Sequence, residues 1–154
     1  MPTPFTEEHQ LFRKQVRAFA EKELAPHVDA WERDRNFPNE VFKKAGELGI
    51  LGAHYPEEVG GGGGDYWFSV VKSEELPRCG SAGVTMGLLV QSDMATPCIN
   101  EPGTAEQKKA FLEPALAGEK IAALGVSAPG PASDAPGHPP PPRLAGGEWD
   151  IHSR

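Results

Sequence analysis

Seven prolines and two glycines crowd the stretch from Pro129 to Pro142, and no packed element can form there. Proline lacks the amide that a helix or sheet interior needs, and its ring blocks the preceding turn. Any hydrophobic core must therefore be built from the first 120 or so of the 154 residues. The chain holds 18 glycines and 16 prolines, well above the usual share of roughly 12% for the pair. The excess is localised, which points to a globular part followed by irregular chain rather than to disorder throughout.

The first 120 residues read as helices. Thr6 is placed to cap an N-terminus, with Glu7 and Glu8 in the first turn where the helix dipole favours anions. Phe12, Val16 and Phe19 follow at helical spacing, with Leu11 and Ala20 widening the stripe and Arg13, Lys14, Arg17, Glu21 and Lys22 opposite. Pro26 predicts a kink, after which Val28 and Trp31 keep the period. A short second helix starts after Pro38, carries Val41, Ala45 and Leu48 inward, and ends at Gly49. A third begins near Asp65 with Trp67, Val70 and Val71 inward and Lys72, Glu74 and Glu75 outward. The fourth, Ser81 to about Met94, is almost uncharged and is expected at the centre of the bundle.

Thr104 and Gln107 form a capping box that opens a helix with Phe111, Leu112, Ala115 and Leu116 on its stripe, closed by Gly118. The period then changes. Ile121 to Val126 reads as a short strand, and Glu148 to His152 as a second. The predicted organisation is thus a mainly α, antiparallel helical domain over 1–120, with an incomplete, Pro/Gly-rich β segment over 121–154.

Charge and motifs exclude several functions. The net charge of −7 repels phosphate backbones and anionic lipid, so neither nucleic acid nor a membrane surface is an expected partner. No apolar run reaches the roughly 18 residues that span a bilayer. The N-terminus lacks the order of a signal peptide, and Cys79 and Cys98 are too few for a disulfide scaffold. These features predict a soluble, cytoplasmic protein. The run Gly60–Gly64 ends in Asp65-Tyr66 rather than Lys-Ser/Thr, so it is read as a flexible interhelical loop and not a phosphate cradle. Five scattered histidines show no metal-ligand spacing, and no nucleophile elbow surrounds a serine. Cys79 reads as a structural thiol, and Pro139–Pro142 as linker rather than polyproline ligand.

The most informative stretch is Leu124-Gly125-Val126-Ser127-Ala128-Pro129-Gly130-Pro131-Ala132-Ser133-Asp134, a predicted strand running into small residues with two hydroxyls. Such a loop can bring amides and a hydroxyl close to a phosphate or a flavin edge. It resembles the signature Val-Thr/Ser-Glu-Pro-x-x-Gly-Ser-Asp of the acyl-CoA dehydrogenases. Thr6-Glu7-Glu8-His9-Gln10, Leu24-Ala25-Pro26, Phe37-Pro38, Leu48-Gly49-Ile50-Leu51-Gly52, Tyr55-Pro56-Glu57-Glu58, Gly103-Thr104-Ala105-Glu106-Gln107-Lys108 and Gly147-Glu148-Trp149 follow that family's order.

The resemblance implies a flavoprotein oxidoreductase of fatty acid metabolism: FAD-dependent α,β-desaturation of an acyl-CoA thioester. It implies that Ser127 donates to the flavin, that Val126 and Leu124 lie against its ring, and that Ser133 meets the pyrophosphate. The end of the fourth helix, about Met94 to Pro97, would approach the acyl chain. Three departures stand out: Ala128 replaces the signature glutamate, Ala132 replaces its glycine, and Pro131, Pro136 and Pro139–Pro142 occupy strand positions. The chain also stops at Arg154, short of the family's C-terminal helical domain with its catalytic base. No catalytic residue is assigned, no metal site is expected, and the chain alone is expected to be inactive. The alternative is a non-catalytic helical interaction module that self-associates or docks onto a full-length relative, since a helical domain without its neighbours exposes apolar surface.

Overall fold

The computed structural model describes residues 4–125, and these divide into a helical unit up to Ala123 and the first residues, Leu124 and Gly125, of a second unit. Helix α1 (Glu7–Phe19) is capped by Thr6, whose hydroxyl accepts from the His9 amide. The return bond of the capping box comes from a residue the sequence pattern does not single out. The Thr6 amide donates to His9 Nδ1 at 2.9 Å, so Nε2 carries the ring proton and donates to Asp65 Oδ1 at 2.8 Å. Asp65 in turn caps α4 (Tyr66–Glu75) by accepting from the Trp67 amide. One imidazole thus ties two helix N-termini together.

Past Phe19 the helix widens into a π-helical turn, Ala20–Leu24, before a turn at Ala25–His27 and a second helix, α2 (Val28–Asp34). Pro26 therefore interrupts the helix as well as bending it, and the period resumes through Trp31 as expected. Helix α3 (Glu40–Glu47) buries Val41, Phe42 and Ala45, while Leu48 at its end is exposed and Gly49 takes φ +67. After Cys79 the chain forms α5 (Ala82–Leu89), capped by the Ser81 hydroxyl, and a second wide turn, Val90–Ala95. Three short helices follow: α6 (Pro97–Asn100), α7 (Ala105–Gln107) with its Thr104/Gln107 capping box, and α8 (Glu113–Leu116), with a third wide turn, Lys108–Leu112, between α7 and α8.

The main core gathers Phe12, Val16, Phe19, Leu24, Phe42, Ile50, Leu51, Val71, Leu76, Val84 and Leu88. A smaller cluster of Tyr55, Val59, Leu112 and Leu116 sits under the C-terminal helices. Cys79 is buried beside Ser81 and Thr85, consistent with a structural thiol. Leu11, Trp67 and Phe111, expected inward, are exposed; Leu11 is 65% accessible.

The glycine run is not a free loop. The amides of Gly62, Gly63 and Gly64 donate to the carbonyls of Gly52, Tyr55 and Ala53, which pins the segment against the chain after α3. A Cβ at Gly61 would lie 2.2 Å from the Tyr55 carbonyl oxygen, so the close approach itself requires glycine. The same logic joins α3 to α8: a Cβ at Gly46 would lie 2.2 Å from the Ala117 carbonyl oxygen.

Within the described residues, Ile121–Gly125 have no regular secondary structure, so the part of the predicted strand that can be seen is not paired. A strand requires a neighbour to accept its amides. Here the Ala122 amide donates to a side chain, Gln91 Oε1, instead.

Helix α4 departs most from expectation. Lys72 and Glu75, predicted to face solvent, are both buried. Glu75 accepts from Arg13 at 2.8 Å, from Arg17 at 2.8 and 3.0 Å, and from Arg78 at 2.6 Å. The Arg17 bonds foremost, outweighing burial, hold its carboxyl at about 2, below the ordinary 4.5. A carboxyl depressed in this way stabilises the fold above about pH 4.5, and that contribution fades as pH falls toward 2. Glu75→Gln is therefore expected to lower stability by about 2–3 kcal/mol at neutral pH and to flatten the acid limb of an unfolding curve between pH 4.5 and 2, measured by urea titration at a series of pH values.

Candidate functional site

A cleft of about 570 Å³ opens beside α4 and the end of α5. His54, Tyr55, Tyr66, Ser69, Ser73, Asp93, Pro97 and Asn100 are among its lining residues. Behind the cleft lies Lys72, fully buried on α4. Its Nζ donates to Ser92 Oγ at 2.8 Å and sits 3.0 Å from Asp93 Oδ2. Ser69 Oγ donates to the other carboxylate oxygen of Asp93.

The electrostatics of this group follow from burial and pairing. Burial pushes the Lys72 ammonium down, opposed by Asp93. Burial would raise the Asp93 carboxyl, but the Lys72 charge and the bonds from Ser69, Lys72 and Ser92 outweigh it, so the net direction is down. Asp93 is therefore an ionised, weakly basic carboxylate. A general base tuned to neutral pH would need the opposite shift. His54 is driven toward its neutral form by burial first and by the Lys72 charge second. Its Nδ1 is buried without a partner among the described residues. Burial pushes the Tyr55 hydroxyl up to about 12, and it donates to the Ser92 carbonyl at 2.8 Å.

A second surface belongs to α5 itself. Along α5 and the wide turn that continues it, Met86, Val90 and Met94 recur every four residues with Leu89 beside Val90; Met86 is 52% and Met94 46% exposed, and Leu89 and Val90 are half-buried. The opposite side carries Val84, Thr85, Leu88, Gln91 and Ser92 into the core. The helix expected at the bundle's centre is thus buried along one side and offers an apolar stripe along the other.

Of the residues the resemblance assigns to FAD, Leu124 is described: it is 40% exposed and in irregular chain. Val126, Ser127 and Ser133 lie outside the described residues. Among the described residues the structure reveals the buried Lys72–Asp93 pair and Gln91, which no motif marks. The only sequence trace of Lys72 is its spacing of three from Ser69 and from Glu75 along α4. Among the described residues no cluster of three or more His, Cys, Asp or Glu could hold a metal ion, and no helix is long and apolar enough to cross a membrane.

The described unit is helical, with an apolar stripe along α5 and the turn that continues it. Residues 6–119 match the model of the acyl-CoA dehydrogenase N-terminal domain. The chain belongs to the acyl-CoA dehydrogenase family. The short-chain specific acyl-CoA dehydrogenase of Clostridium acetobutylicum is 38% identical over 84% of this chain and 34% of its own length. The solved acyl-CoA dehydrogenase of Geobacillus kaustophilus superposes with a TM-score of 0.76 at 38% identity, covering 84% of this chain and 34% of that one. The Bacillus anthracis acyl-CoA dehydrogenase complexed with FAD superposes with a TM-score of 0.76 at 34% identity, covering 84% of this chain and 22% of that one. The chain spans about a third of the length of the curated relatives it matches.

Removing one partner of the buried pair leaves the other uncompensated. Lys72→Met is expected to destabilise the protein by about 3–5 kcal/mol, whereas Lys72→Met combined with Asp93→Leu recovers most of the loss, read as urea midpoints of the two variants.

Proposed function

We propose that this chain supplies the N-terminal helical domain and the first cofactor-contacting segment of an FAD-dependent acyl-CoA dehydrogenase acting on the α,β bond of an acyl thioester. The observation that carries the proposal is the match to the family's N-terminal domain over residues 6–119, reinforced by superposition on an FAD complex. When bound, FAD supplies the acceptor for the hydride that leaves the β-carbon.

The chain's own residues take three roles in this reading. The stripe of Met86, Leu89, Val90 and Met94, with Pro97 beyond it, offers apolar surface against which an acyl chain can be buried at roughly 25 cal/mol per Å². Leu124 and Val126 give the flavin an apolar contact. Ser127 donates a hydrogen bond to the flavin, and Ser133 one to the pyrophosphate. The described start of this segment fits such a ligand: Leu124 is exposed, and no described residue lies within 4 Å of a Cβ built on Gly125. The buried carboxyls of Glu75 and Asp93 are held down rather than raised, so α-proton abstraction is assigned to neither.

A second reading is a non-catalytic helical module that self-associates or docks onto a full-length relative. It is favoured by the exposed apolar side chains of α1, α4 and α5, Leu11, Trp67 and Met86 among them.

The two readings separate on flavin binding. Purified chain mixed with FAD and gel-filtered is expected to elute with the visible absorption of about one flavin per chain. Ser127→Ala is expected to weaken FAD binding about tenfold, measured by quenching of flavin fluorescence. A colourless protein after gel filtration overturns the flavoprotein reading and leaves the helical module.

A further inference from the structure

Met86, Val90 and Met94 are four residues apart, and a regular α-helix does not align such a series. With about 3.6 residues per turn, each four-residue step overshoots by about 40°, which would carry Met94 about 80° round the helix from Met86. Yet both methionines stand exposed on the side away from the core. The wide turn Val90–Ala95 accounts for this. Its bonds run from residue i to i+5, so each residue advances less and the step from Val90 to Met94 falls short of a full turn. The two drifts oppose, and the three side chains stay in one row.

Such a turn disturbs the pairing of backbone groups. In a regular helix the Thr96 amide, four residues beyond Ser92, would serve the Ser92 carbonyl. In the wide turn it donates to the Gln91 carbonyl instead, at 3.1 Å. The residue five beyond Ser92 is Pro97, which has no amide to offer. The wide turn thus strands the carbonyl of a fully buried residue. The Tyr55 hydroxyl reaches it, donating at 2.8 Å. The same hydroxyl lies 2.8 Å from Thr96 Oγ1, which donates to the Gln91 carbonyl at 2.6 Å. Burial pushes the Tyr55 hydroxyl up to about 12, so it keeps its proton throughout the neutral range. Lys72 holds the side chains of Ser92 and Asp93, but the Tyr55 bond is to the backbone atom on which the two forms of the turn differ.

We infer that Tyr55 is a positioning residue: its hydroxyl replaces the amide that Pro97 lacks, holds Val90–Ala95 in the wide form, and so brings Met94 into line with Met86 and Val90. Without that hydroxyl the regular helix, in which Thr96 serves Ser92, is the better bonded arrangement. That an acyl chain lies along the row rests on the function proposed above; the hold of Tyr55 on the turn does not. Tyr55 touches no substrate in this scheme.

The test uses the full 154-residue chain and Tyr55→Phe, which keeps the ring and removes the hydroxyl. NMR couplings across hydrogen bonds identify the carbonyl to which each amide donates. In the wild type the Thr96 amide is expected to couple to the Gln91 carbonyl, and in Tyr55→Phe to that of Ser92. With methyl-labelled methionine, the Met94 resonance is expected to shift in the variant while that of Met86 stays. Octanoyl-CoA affinity, measured by calorimetry, is expected to fall about fivefold, since each methylene that loses its apolar contact is worth about fourfold. Val16→Ala, a core truncation on α1, serves as the control: it lowers stability yet leaves the Thr96 coupling, the Met94 resonance and the affinity at wild-type values.

A wild-type Thr96 amide coupled to Ser92 overturns the inference without recourse to any variant. So does a Tyr55→Phe protein that keeps the Gln91 coupling, that moves it with Met94 unshifted, or that binds octanoyl-CoA as tightly as the wild type. A wild type that binds no octanoyl-CoA defeats the acyl-chain reading of the stripe alone, and the Thr96 coupling and the Met94 resonance then decide the role of Tyr55.

Discussion

The carboxylate of Glu75 is the interaction on which the helical unit turns. Arg13 and Arg17 reach it from α1, and Arg78 reaches it from the turn after α4. A buried carboxylate with a single partner would be a liability, because desolvation exceeds one Coulombic contact. Three guanidinium partners reverse that balance and fix how α1 lies on α4. The His9–Asp65 bond does the same at the other end of the pair, joining the two helix starts. Between these ends Phe12, Val16 and Val71 fill the apolar middle of the core.

Helix α4 shows the consequence. Ser69, Lys72 and Glu75 recur every three residues on its buried side, while Tyr66 and Trp67 stand exposed. Its inner face thus carries, beside Val71, polar groups that are all paired: Ser69 with Asp93, Lys72 with Ser92 and Asp93, and Glu75 with its arginines. Polar groups inside a low-dielectric interior are tolerated when every one finds a partner, and they then specify a single arrangement more sharply than apolar contacts do. The cleft of the candidate site is bounded by this same network, so its shape is set by charge pairing as much as by packing.

Three wide turns, Ala20–Leu24, Val90–Ala95 and Lys108–Leu112, punctuate the long helices. Each adds a residue to its turn and so shifts the buried face beyond it. The second bears most directly on function. It brings Gln91 against Ala115, Lys120 and Ala122 while its other side leaves Met94 exposed.

Much of the fold was legible in local signals. Thr6, Asp65, Ser81 and Thr104 each announce a helix start, and each caps one, because a capping hydroxyl or carboxylate acts on amides within three residues. The order of short motifs also placed the chain in its family, since that order depends on residue identity alone. Pinning of the glycine run was not legible because it depends on close backbone approach rather than on side chains. Burial of Lys72 and Glu75 and the contacts of Gln91 were not legible for a different, shared reason. Their partners lie twenty or more residues away for Lys72 and Gln91, and fifty or more for the Arg13 and Arg17 contacts of Glu75. Periodicity ranks a lysine, a glutamate and a glutamine as solvent-facing because an unpaired buried polar group is too costly to keep. Only the tertiary structure supplies the arginines, the aspartate and the backbone carbonyls that remove that cost. The sequence by itself determined where capped helices begin and which family they belong to, because both depend on local residue identity; the folded chain decided which polar side chains lie inside, because that depends on partners distant in sequence.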